Sequence, residues 1–63
     1  MMFEKLNDAQ VAKLAKQLVR DFGVEGTIFT SQNIIKKYNE DTEDQVNLRY
    51  TYNKLIKYID ENY

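Results

Sequence analysis

The feature that most constrains this chain is its last third, Thr42 to Tyr63, which contains no glycine or proline and whose apolar residues return with a helical period. Leu48, Tyr52, Leu55, Ile56, Ile59 and Tyr63 follow i, i+4, i+7, i+8, i+11, i+15, and at 3.6 residues per turn that spacing makes one stripe. The opposite face carries Asn47, Tyr50, Asn53, Lys54 and Lys57, with Arg49 at its flank, so cations and amides surround an aromatic ring. Thr42 with Gln45 at N3 has the capping-box pattern, and Glu43 and Asp44 fall in the first turn, where the helix dipole favours negative charge. Val46 fits the stripe poorly. Either the helix starts at Glu43 with Val46 turned toward the preceding helix, the preferred reading, or it starts near Asn47.

The rest of the chain has to supply the surface that this helix buries. Met2 and Phe3 are apolar enough for a short lead-in, although they carry no period. Asn7 as N-cap with Gln10 at N3 forms a capping box, and Leu6 can staple onto Val11, so a first helix over 8–22 is expected. Val11, Leu14, Ala15, Leu18, Val19 and Phe22 share one face of it, and Lys13, Lys16, Gln17, Arg20 and Asp21 cover the other. Gly23 reads as a left-handed residue that ends the helix, with Val24 closing back on Val19. Thr27, Ile28 and Phe29 prefer extended backbone, which predicts a turn and a very short extended segment near 27–29. Thr30 then reads as the cap of a second helix over 31–39, with Phe29 stapled to Ile34 and with Ile34, Ile35 and Tyr38 inward. The expected fold is a single all-α domain of three helices, 8–22, 31–39 and 43–61. Its core would be Val11, Leu14, Leu18, Phe22, Ile34, Ile35, Tyr38, Leu48, Tyr52, Leu55, Ile56 and Ile59.

Composition removes most chemistry. A chain of 63 residues buries only about 60% of the surface its unfolded form exposes, which leaves no room for an enclosed active site. There is no cysteine for a disulfide or a thiolate zinc site, and no histidine for a neutral-pH base or metal ligand. The carboxylates Asp41, Glu43 and Asp44 lie in a hydrophilic connection that cannot desolvate one of them, and the run lacks the glycine and spacing of a calcium loop. We therefore expect no catalytic residues, no metal and no cofactor. No apolar window is long enough to span a membrane, and Met1–Leu6 is too short and too charged for a secretory signal, so a cytoplasmic protein is expected.

Nine Lys and Arg against ten Asp and Glu give a net charge of −1, so no global field draws the chain onto nucleic acid; only a basic face could do so. The order of helix, extended segment, short helix, turn and long helix, with IFTSQNIIKKY opening the short helix and LRYTYNKLIKYIDE the long one, resembles the three-helix core of winged-helix and related helix-turn-helix domains. That resemblance implies a small DNA-binding regulator of bacterial or phage type, with Arg49, Tyr50, Asn53, Lys54 and Lys57 at the exposed positions of the recognition helix and a homodimer to reach useful affinity. The competing expectation is a protein-binding module, or an inhibitor that binds a larger host protein. It would use Tyr50 and Tyr58, which lie off the apolar stripe, together with the acidic patch of Glu40, Asp41, Glu43 and Asp44.

Overall fold

A computed structural model describes residues 4–63, so the lead-in expected at Met2 and Phe3 lies outside the described residues. Two helices make up the fold: α1, Asp8–Lys37, and α2, Glu43–Asn62. The start of α1 follows from its sequence. The Asn7 side chain accepts from the Gln10 N–H at 2.8 Å while the Gln10 side chain accepts from the Asn7 N–H at 2.9 Å, so two of the orphan donors at the helix start are satisfied reciprocally. Leu6 packs against the cluster that contains Val11, in line with the staple.

A straight helix of 30 residues would be about 45 Å long, yet the longest dimension of the molecule is 31 Å. The difference comes from Gly23, whose φ of 78° and ψ of 169° interrupt the helical dihedrals for a single residue. Helical backbone resumes at once, so α1 is one element bent into two arms that both turn toward α2. Val11 and Ala15 from the first arm pack with Leu55 and Ile59 of α2, and Val24 and Ile28 of the second arm close onto the same cluster.

The three-helix expectation is therefore corrected to two helices. Residues 27–29 are helical, not extended, and Thr30 is exposed in mid-helix, so it caps nothing. With no separate helix over 31–39, the likeness to a winged-helix or helix-turn-helix core falls with it. The inward positions of the second arm are Val24, Thr27, Ile28, Ser31, Ile34 and Ile35, which do have a helical period. Two of them are hydroxyl residues, so a scan for apolar residues alone does not see the stripe. Thr27 donates from its hydroxyl to the Gly23 carbonyl at 2.7 Å and Ser31 to the Thr27 carbonyl at 2.8 Å, so both are buried with their polar atoms satisfied inside their own helix.

Gly23 has the positive φ expected of it, but its ψ is extended, so it redirects the chain into another helical turn where a terminating cap was expected. Phe22, expected in the core, is 63% exposed beside the bend, and Tyr38, the residue that closes α1, is exposed as well. On α2 the helix starts at Glu43, yet Val46, expected to turn toward the preceding helix, is 41% exposed and lies outside the core cluster. The buried line of α2 is Thr51, Leu55 and Ile59, flanked by half-buried Leu48, Tyr52 and Ile56 on one side and Tyr58 on the other. Tyr63, at the end of the expected stripe, is exposed.

Three stability measurements follow. Leu55→Ala should cost roughly 2–5 kcal/mol in urea unfolding followed by circular dichroism, because a fully buried side chain is lost from a small core. Thr51→Val should raise stability by about 1 kcal/mol, since the Thr51 hydroxyl is fully buried with no hydrogen-bond partner among the described residues and the methyl that replaces it has nearly the same shape. Gly23→Ala should destabilise by about 1–3 kcal/mol although no atom crowds the new methyl, because an L-residue at that φ is strained; an unchanged midpoint would show that the bend does not need glycine.

Candidate interaction surface

The connection between the helices, 38–42, is short, and its conformation is set by Arg49. From the second turn of α2 its guanidinium donates to the Tyr38 carbonyl at 2.7 Å and to the Glu40 carbonyl at 2.9 Å, and it approaches the Asp41 carboxylate at 4.0 Å. The two carbonyls lie at and just beyond the end of α1, where helix geometry leaves acceptors without internal donors. The Thr42 hydroxyl accepts from the Gln45 N–H at 3.3 Å. The Gln45 side chain does not return to Thr42 as a full capping box would; it accepts from the Glu40 N–H at 2.9 Å and so draws the connection onto the start of α2. Held this way, the acidic side chains point outward. Glu40, Asp41 and Glu43 are exposed, whereas Asp44 is half-buried.

Lys54 is committed elsewhere. Its ammonium pairs with the Asp8 carboxylate in the first turn of α1, a link between the start of α1 and the middle of α2. The hydrogen bond to Asp8 holds the Lys54 ammonium above the ordinary lysine range, with burial acting against it and the charges of Asp8 and Tyr50 adding to it. The Tyr50 ring, 45% exposed, lies between two cations, Lys5 Nζ at 4.8 Å from its centroid and Lys54 Nζ at 5.4 Å.

Of the five residues expected to read DNA, the structure thus keeps three outward, Tyr50, Asn53 and Lys57, and turns Arg49 and Lys54 to internal tasks. Tyr50, Asn53 and Lys57 form one line with Val46, at i, i+4, i+7 and i+11, and this line with the acidic connection at its start is the outer face of α2. Val46 joins this line and does not take the expected inward position; its phase with Tyr50 and Asn53 is the signal in the sequence. Tyr58 is not on that face. It is half-buried, packs against the core and lines an open cleft of about 350 Å³ with Asp8, Val11, Lys54, Lys57 and Glu61. No protein-family model, curated protein or solved structure matches the chain. No helix among the described residues is long and apolar enough to cross a membrane.

Both clasps can be tested separately. Arg49→Ala should lower stability by about 2 kcal/mol and speed amide exchange in 38–42 before the rest of the chain, because two carbonyls lose a charged donor at a side chain only 22% exposed. For Lys54, a pKa raised on folding means that the charged pair stabilises the fold at neutral pH and that this contribution fades as pH climbs through the folded-state value, alkaline of the ordinary lysine range. Asp8→Asn should bring the Lys54 titration, followed by NMR of its side-chain ammonium, back toward the ordinary range; a titration that does not move would remove Asp8 as the cause.

Proposed function

We propose that the chain is a small protein-binding module that acts in the cytoplasm and engages its partner with the outer face of α2. The observation that carries this reading is the engagement of Arg49 and Lys54 within the fold, which leaves Lys57 on the line and Lys5 over the Tyr50 ring as the cations beside exposed Val46 and Tyr50. Affinity for duplex DNA grows with the number of phosphates neutralised, and a face with so few available cations neutralises few. Protein interfaces draw on the opposite inventory, an aromatic anchor with apolar neighbours and a charged rim. Tyr50 supplies the anchor and Val46 extends it. Glu40, Asp41 and Glu43 at the rim favour a partner with a basic surface, whose approach they would steer. A nucleic-acid-binding surface on a larger protein has that chemistry, which suits an inhibitor that covers such a surface.

The test is capture of partners by the immobilised chain, with duplex DNA titrated in parallel at low salt. Tyr50→Ala should reduce partner capture at least tenfold, in keeping with the loss of a central aromatic anchor. Asp41→Lys should weaken it less and change its salt dependence, because Asp41 sits fully in solvent. Lys57→Ala should leave capture nearly unchanged. Duplex binding that disappears with Lys57→Ala and survives Tyr50→Ala would instead favour nucleic acid. Tyr58→Ala would be a poor probe, because its ring supports the core and the variant would report on folding.

A further inference from the structure

The second arm of α1 carries another outward line. Glu25, Phe29, Gln32 and Lys36 are spaced i, i+4, i+7 and i+11 within continuous helix and are all exposed, so they form a single stripe on the flank of the arm, one residue on from the inward positions Val24, Ile28, Ser31 and Ile35. Phe29 at its centre is 65% exposed. Phe22 extends the apolar area across the bend. A methyl on Gly26, one turn before Phe29, would meet the Phe22 Cβ at 3.4 Å, so Phe22, 63% exposed, starts from the surface beside that glycine. Neither Glu25 nor Lys36 has an ion-pair partner among the described residues.

We infer that this stripe is the contact face for a second copy of the chain, with the two arms packed antiparallel. The order of charge selects that occupant. Glu25 and Lys36 lie equally far from a point midway between Phe29 and Gln32, so a twofold axis through that point sets Glu25 of each copy against Lys36 of the other. The same axis places Phe29 beside Gln32 and diagonal to Phe29 of the second copy, with the Phe22 and Gly26 surface at the margin. Acid near the start of each arm and base near its end also suit the helix dipoles, which an antiparallel pair brings together with opposite sense. The contact is small. The arm 24–37 is about 20 Å long, and two aromatic rings cover only part of the roughly 800 Å² per partner that a stable interface buries, so the dimer is weak, with a dissociation constant on the order of 100 µM. This contact is independent of the partner face on α2, which lies on the other helix.

Sedimentation equilibrium of the full chain from roughly 10 µM to 2 mM measures the association across the range in which such a dimer forms. The wild-type chain should pass from monomer to dimer. Phe29→Ala should weaken association at least tenfold with helicity by circular dichroism unchanged, since that ring is not part of the core. Lys36→Glu places like charges opposite each other twice and should weaken it about tenfold. Adding Glu25→Lys to Lys36→Glu should restore the dimer to within about threefold of wild type, because both cross-copy pairs are re-formed with reversed sign. This arm separates an interface from a helix effect: reversing both charges opposes the dipole at both ends of the arm, so a variant that acts only on helix stability would be worse in the double than in the single. A wild-type chain that stays monomeric throughout, or a double reversal no better than Lys36→Glu alone, would overturn the inference.

Discussion

The fold depends on one residue's backbone. Gly23 holds a φ that L-residues rarely adopt, and this allows a helical element of 30 residues to turn back within a molecule 31 Å long. A helical pair with no bend could bury only one line of side chains along a shared seam. The bend lets both arms of α1 approach α2, so that Val11 and Ala15 from one side and Val24 and Ile28 from the other converge on Leu55 and Ile59. Helical backbone resumes directly after the glycine, with the Thr27 hydroxyl bound to the glycine's own carbonyl, and this keeps the interruption to one residue.

The core assembled in this way contains few large side chains. Among the described residues, those fully buried are Val11, Ala15, Leu55 and Ile59, accompanied by Thr27, Ser31 and Thr51. Small side chains let helices come close, and hydroxyls that bond to the carbonyl four residues back lose little on leaving water. Thr51 is the exception, buried without a partner for its hydroxyl, and so carries a desolvation cost that the other two avoid. The aromatic residues that would ordinarily fill a core this small, Phe22 and Phe29, stand at the surface near the bend. Exposed aromatic area on a chain with so small a core is available to intermolecular contact.

Charge shows how far position alters the meaning of a side chain. Arg49 and Lys54 look like a reading face when only the sequence of α2 is considered, since both lie on or beside the polar side of its stripe. In the folded chain Arg49 binds two carbonyls of the connection and Lys54 binds Asp8, so the cations link α2 to the two ends of α1. What remains outward on α2 is a mixed line of Val46, Tyr50, Asn53 and Lys57 beside an acidic turn, a surface with more in common with protein contact than with phosphate contact.

What the sequence determined by itself is local. The capping box at Asn7 and Gln10, the start of α2 at Glu43 after Thr42, the positive φ at Gly23 and the burial of Val11, Leu55 and Ile59 all follow from interactions that span a few residues or from a simple apolar period. The path of 24–37 was decided by tertiary packing. Thr27 and Ile28 favour extended backbone in isolation, but burial of their face against the rest of the molecule outweighs a propensity difference of well under 1 kcal/mol per residue, and the polar identity of Thr27 and Ser31 conceals the period that would have revealed it. The site changed for a similar reason. Whether Arg49 meets a partner or the carbonyls of 38 and 40, and whether Tyr58 meets a partner or the core, depends on where α1 lies beside α2, and that depends on long-range contacts that no local pattern encodes.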